Sequence, residues 1–219
     1  HDRYRRQRQM CIRDRAIKDG NVLPIFIFDK ELFKLETSSS FHLRFIKDSL
    51  NDLKEKLKKK YDSSLSIYYG NTKEILKYLI RKYSVSEIYS NAIFKHKYLM
   101  DLDKNCENLF NDLKVKWLQT NQFGIDLNHR KRFKWAYNWN EFIQSDEKSF
   151  KFNCKFININ NNFDFKDVKT NKINGKLIQL GGRDNAIKLL DSFIETRSEN
   201  YQKEMSSPVS AEIACSRLS

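Results

Sequence analysis

The chain is poor in the residues that punctuate and staple small proteins. It holds two prolines, six glycines, four cysteines and four histidines in 219 residues. Cys11, Cys106, Cys154 and Cys215 stand far apart with no C-x-x-C pair, and His1, His42, His96 and His129 do not fall at metal-ligand intervals beside them. That spacing argues against a structural zinc site and for reduced thiols. No apolar run approaches the roughly 18 residues that a membrane span needs. The longest, Val22 to Phe28, is interrupted by Pro24. The opening residues HDRYRRQRQ lead into no apolar h-region, so no secretory signal is read and a cytoplasmic location is expected. A P-loop, a carboxylate pair and a Ser-His-Asp pattern are likewise missing, which leaves no complete catalytic constellation.

What the chain does have is charge. Its 41 basic and 28 acidic residues give a formal +13, beside 40% apolar residues. This is the balance of a soluble globular chain of one or two domains. The excess of cations favours a polyanionic partner, because each neutralised phosphate releases a counterion. The abundance of Lys, Asn and Ile offers a second reading, a compositional bias of the source. The first fifteen residues differ from the rest: six Arg and two Asp contribute +4 ahead of a Lys-rich remainder. Met10-Cys11-Ile12-Arg13-Asp14-Arg15 resembles the translated end of a transposon adapter used in sequencing libraries. Residues 1–15 are therefore expected to be a non-native leader, the alternative being a basic arm that touches phosphate.

Beyond the leader, strand and helix patterns alternate. Val22, Leu23, Ile25, Phe26, Ile27 and Phe28 form the near-continuous apolar run of a strand buried on both faces. Leu43, Ile46, Leu50, Leu53 and Leu57 recur at helical steps, with Ser38 to Ser40 available as a cap. Leu65, Ile67 and Tyr69 read as a strand stopped by Gly70. Asn71-x-x-Glu74 then resembles a capping box ahead of a helix striped by Ile75, Leu76, Leu79 and Ile80. Glu87 to Ile93 predicts a third strand, Leu99, Leu102, Cys106, Leu109 and Leu113 a third helix, and Val115 to Leu118 a fourth strand. This rhythm means βαβ units and a parallel, Rossmann-like sheet with helices on its faces. A strand is expected before the piece Ala16 to Gly20 and is not visible, so the sheet reads as lacking its first strand. Residues 16–144 form this α/β domain, and the Asn/Lys-rich residues 145–180, with Phe and Ile available to dock on a neighbour, read as an interdomain linker. From 181 to 219 an all-α domain begins, its first helix following Gly181-Gly182 with Ala186, Leu189, Leu190, Phe193 and Ile194 on one stripe.

Three stretches carry a resemblance to a known family. Val22-Leu23-Pro24-Ile25-Phe26-Ile27-Phe28-Asp29 is similar to the second strand of the DNA photolyase/cryptochrome α/β domain. Gln122-Phe123-Gly124-Ile125 with Arg132, Trp135 and Trp139 resembles the segment that closes this domain in a bacterial branch. Gly181-Gly182 through Asn200-Tyr201, then Met205-Ser206-Ser207-Pro208 and Cys215-Ser216-Arg217-Leu218-Ser219, resembles the start of the flavin domain. In that family a T/C-S-R-L-S run opens a helix whose backbone amides and hydroxyls hold the FAD pyrophosphate, consistent with anion binding at a helix N-terminus.

The resemblance implies a fragment of a deoxyribodipyrimidine photolyase (a carbon-carbon lyase) that repairs UV-induced pyrimidine dimers in DNA, or of a cryptochrome-type blue-light photoreceptor without repair activity. It implies non-covalent FAD, lined here by Tyr201, Cys215, Ser216, Arg217, Leu218 and Ser219. A pterin (methenyltetrahydrofolate) or deazaflavin antenna is expected at the carboxyl ends of the strands. It further implies a monomer that binds DNA carrying dimers, with no catalytic residue in this part of the chain and no activity from the fragment alone. A stand-alone nucleotide-binding α/β protein ending near Gln144 is a more distant third reading. Trp117, Trp135 and Trp139 are read as packing residues, Lys58 to Lys60 as a solvated helix end, and Arg130-Lys131-Arg132 as a candidate DNA contact. Asp29 lies where α/β ligands bind and equally suits a turn cap.

Overall fold

A computed structural model describes residues 20–93, 96–120, 135–144, 155–159, 163–169, 179–204 and 209. It shows an α/β unit of parallel strands. Strand β1 (Asn21–Val22) leads through Pro24 into β2 (Ile25–Asp29), followed by α1 (Ser40–Tyr61), β3 (Ser66–Gly70), α2 (Thr72–Tyr83), β4 (Glu87–Asn91), α3 (Lys97–Asp112) and β5 (Lys116–Thr120). After these come α4 (Trp135–Gln144), β6 (Lys155–Phe156), α5 (Arg183–Ser192) and the short α6 (Tyr201–Glu204). Strand β2 pairs parallel with β3, β4 with β5, and β1 with β6. Among the described residues no strand links β2 to β4.

Local chemistry explains the boundaries. Ser39 caps α1: its Oγ accepts the His42 N–H, and the His42 Nδ1 accepts the Ser39 N–H in return. This is a capping box with histidine where glutamate usually stands. Asn71 Oδ1 accepts the Glu74 N–H and opens α2, as its spacing predicts. Glycine is scarce, so left-handed positions after helices fall to other residues: Asp62 after α1 (φ 47°), Ser84 after α2 (φ 49°) and Lys114 near the end of α3 (φ 54°). Strand β5 starts at Lys116, one residue later than the apolar pattern predicts, and β4 ends at Asn91.

Two apolar clusters hold the unit. Alternation along β2 and β3 turns Phe26, Phe28, Ile67 and Tyr69 toward α1, where they pack with Leu50, Leu57 and Leu65. Phe28 is fully buried, with the rings of Phe26, Phe33, Phe163 and Phe165 around it at centroid distances of 4.9, 5.3, 5.5 and 5.9 Å. Tyr68 points the other way, beside Tyr78, Lys82 and Tyr83 of α2. There Ile80, Cys106, Leu109, Phe110 and Val115 form the second cluster with Ile88 and Trp117. Trp117 meets Phe110 edge-on and donates its Nε1–H to Ser90 Oγ (3.0 Å), a packing role. Burial pushes the Cys106 thiol up to about 11, so it stays protonated. Leu53, on the apolar stripe by its spacing, is 44% exposed.

The described parts of residues 145–180 lie against the α/β unit. Strand β6 extends the β-pairing at β1, and Asn158 binds the Ser64 N–H and the Asp62 carbonyl through its side chain. Phe163, Phe165 and Val168 complete the Phe28 cluster. Among the described residues no helix is long and apolar enough to cross a membrane, and no group of side chains could hold a metal ion.

Candidate functional site

In parallel α/β sheets ligands gather at the carboxyl ends of the strands. Asp29 ends β2 there and is only 5% exposed. Its Oδ1 accepts the Glu31 and Leu32 N–H groups (3.0 and 3.2 Å) and the Tyr98 hydroxyl (2.6 Å). Its Oδ2 accepts the Thr72 N–H (3.1 Å) and the Thr72 hydroxyl (2.7 Å). Burial pushes the carboxyl up, but the bonds from Tyr98, Thr72 and Leu32 outweigh it and hold Asp29 below the usual aspartate range. Burial and the carboxylate together push the Tyr98 phenol up, so both partners favour charged Asp29 and neutral Tyr98. Asp29 thus ties the end of β2 to the start of α2 and, through Tyr98, to the first turn of α3. Of its two readings the structure selects the cap. Both oxygens are engaged by protein donors.

The second place of interest is where α5 meets α1. Gly181 lies so close to α1 that a Cβ on it would fall 2.0 Å from the Phe45 carbonyl oxygen and 2.6 Å from Ser49 Oγ. Gly182 adopts φ +101°, a conformation L side chains rarely take. It donates its N–H to Ser49 Oγ (3.0 Å), and Arg183 donates its own to Asp52 Oδ2 (3.0 Å). Asp52 therefore caps α5 from another helix, satisfying an amide that has no partner within its own first turn. Lys56 bridges Asp52 and Asp184, each at 2.7 Å. Partial burial lowers the Lys56 pKa and the two carboxylates raise it, with a net rise.

Beyond α5 the helix widens into a π-turn over Phe193–Arg197, and the chain turns into α6 at Tyr201. Tyr201 is half-buried, its ring edge-on to Phe193 at 5.1 Å and 85°. Of the site residues expected from the sequence, Tyr201 is the one the structure places. Cys215, Ser216, Arg217, Leu218 and Ser219 lie outside the described residues, as does Arg130-Lys131-Arg132. Sequence reasoning missed Ser49, Asp52 and Lys56. Asp52 and Lys56 at i and i+4 read as an ordinary exposed pair, and no local signal marks them as a dock for residues about 130 positions away.

Comparison with known proteins gives this geometry its relatives. The chain is similar in structure to a bacterial class III photolyase from Agrobacterium tumefaciens, with a TM-score of 0.64 and 18% identity over 92% of this chain and 44% of that one. An archaeal photolyase from Sulfolobus tokodaii, crystallised with two FAD molecules, gives a TM-score of 0.58 and 19% identity over 81% of this chain and 41% of that one. A cryptochrome from Synechocystis gives 0.54 and 14% over 82% and 42%. At such identities these likenesses establish the fold, and the chain spans less than half the length of each. No curated protein matches it. The DNA photolyase family profile matches residues 9–123, from within the first fifteen residues to just past β5. That match covers more than half of the chain, and on it the chain belongs to the DNA photolyase family.

Proposed function

We propose that the chain is part of a flavin-dependent deoxyribodipyrimidine photolyase, which uses light to repair UV-induced pyrimidine dimers in DNA. The observation that carries this reading is the family match across the α/β unit, and the docked α5 leading to Tyr201 supports it. Tyr201, Cys215, Ser216, Arg217, Leu218 and Ser219 would hold FAD. Tyr201 fits that task, because its half-buried ring is fixed against Phe193. Hydroxyls and amides at Ser216 and Ser219 suit a pyrophosphate at a helix start. Bound FAD supplies the light-excited electron that splits the dimer. The chain's own part is to bind and orient the cofactor. A pterin or deazaflavin antenna belongs at the strand carboxyl ends, held by groups other than Asp29. The parent enzyme would act as a monomer on DNA from which the lesion is flipped out, in the cytoplasm.

The test is light-dependent loss of cyclobutane dimers from an irradiated oligonucleotide, using the protein extended through its flavin-binding half. Repair under blue light supports the photolyase. Bound flavin that responds to light without repair would instead support a cryptochrome-type photoreceptor, a second reading kept because a cryptochrome shares the fold. The 219-residue chain alone is expected neither to retain FAD nor to repair, since the residues proposed to hold FAD would form one edge of the pocket. Stoichiometric FAD co-purifying with it would overturn that expectation.

A further inference from the structure

The geometry points to Arg197 as a positioning residue for the flavin pocket: it fixes the Phe193 ring, and Phe193 in turn sets the ring of Tyr201. This rests on the flavin reading of Tyr201 given above. Phe193 and Tyr201 are eight residues apart. A straight α-helix would separate their Cα atoms by about 12 Å along its axis and rotate one from the other by about 80°. Their rings nevertheless meet at 5.1 Å.

Two departures from helix geometry bring them together. The π-turn is closed by the Ser198 N–H to the Phe193 carbonyl (2.8 Å), and the following turn by the Tyr201 N–H to the Ser198 carbonyl (3.2 Å). A π-turn is intrinsically unfavourable and recurs at functional sites. Side chains stabilise this one. Arg197 Nη2 donates to the Leu189 carbonyl (2.7 Å) and its Nε to Ser192 Oγ (3.2 Å). The same guanidinium lies over the Phe193 ring, 5.7 Å from its centroid. Thr196 and Ser198 hydroxyls donate back to the Ser192 and Ile194 carbonyls (2.8 and 3.0 Å). Arg197 thus spans the last turn of α5 and clamps the first ring of the pair. Only a planar fork can make both hydrogen bonds while stacking, which a lysine cannot reproduce.

The experiment has two readouts. In the 219-residue chain with labelled Phe and Tyr rings, NMR follows the Phe193–Tyr201 contact. Arg197→Ala is expected to abolish it while contacts around Phe28 persist, and Arg197→Lys to restore it only in part. Phe193→Tyr is expected to keep the edge contact and Phe193→Leu to lose it. In the protein extended through its flavin-binding half, Arg197→Ala is expected to weaken FAD binding about fivefold, the scale of one cation–π contact, with thermal unfolding of the α/β unit unchanged. A ring contact that survives Arg197→Ala overturns the inference. A lost contact with unchanged FAD affinity leaves Arg197 positioning the ring and overturns the flavin role of Tyr201 instead.

Discussion

Helix α1 is gripped on two sides in two different ways. Its inner face buries Leu50 and Leu57 in the Phe28 cluster, where contact is apolar and non-directional. Its outer face meets α5 through Ser49, Asp52 and Lys56 and a glycine pressed against the Phe45 carbonyl. The first kind of contact supplies stability in proportion to area and tolerates small shifts. The second supplies little net energy, because exposed ion pairs and single hydrogen bonds are worth about 1 kcal/mol or less each. It does fix one geometry, since a cap and a close backbone approach fail when displaced by an ångström. The α/β unit is therefore built to be stable, and its junction with the helical segment is built to be specific.

The largest test of that contrast is Phe28→Ala. Removing a fully buried ring from among four other aromatics is expected to cost about 3–5 kcal/mol and to loosen β2, α1 and the Phe163–Phe165 segment together. Urea unfolding measures it. A cost below about 1 kcal/mol would mean that this cluster does not dominate the unit. Asp29→Asn comes next. It weakens a carboxylate that accepts five hydrogen bonds and places an amide N–H₂ among donors, at an expected cost of about 1–3 kcal/mol near neutral pH. The sign with pH follows from the direction of the shift. The folded Asp29 pKa lies below its unfolded value, so the carboxylate's contribution is fully present above the unfolded value, roughly 3.9. It is lost as pH falls through the folded one. The stabilities of the wild type and the Asp29→Asn variant should converge in acid, and a gap that stays constant to the lowest pH at which both remain folded would mean that the hydrogen bonds to the carboxylate do not stabilise its charged form.

The sequence made the elements of the α/β unit legible because apolar periodicity and caps are local. The α2 cap at Asn71 and the α3 stripe through Cys106 and Leu109 appear where spacing puts them, while the apolar run from Val22 to Phe28 is divided at Leu23-Pro24 into β1 and β2. Asp29 stayed ambiguous for a physical reason: its deciding partners, Thr72 and Tyr98, arrive from 43 and 69 residues away. Leu53 shows the limit of a stripe, since its position within α1 satisfies the period while the fold leaves it outside. The Phe163–Val168 segment has no period to read, being extended with a single 3-10 turn, so its Phe residues were legible as able to dock but Phe28 was not legible as the place. Gly181-Gly182 was legible as a helix start but not as a contact, because what excludes a side chain there is the backbone of Phe45.

Gly181→Ala isolates the other side of α1. The added methyl would lie 2.0 Å from a helix carbonyl and 3.0 Å from Asp48 Cβ, and neither the carbonyl nor the helix that carries it can move aside cheaply. The segment that can yield is α5, which has no buried side chain of its own. Its expected response is to lift away, breaking the Arg183–Asp52 cap and the Lys56–Asp184 pair while the two apolar clusters stay intact. Hydrogen exchange should then show the amides of Ala186 to Ser192 losing protection, with the global stability of the α/β unit within about 0.5 kcal/mol of wild type. Asp52→Asn should do the same more weakly, because an amide oxygen still accepts the Arg183 N–H. If Gly181→Ala instead lowers global stability as far as Phe28→Ala does, the two sides of α1 fold as one cooperative unit and the separation between stability and placement fails. If α5 stays fully protected, its dock depends on contacts other than the glycine pair.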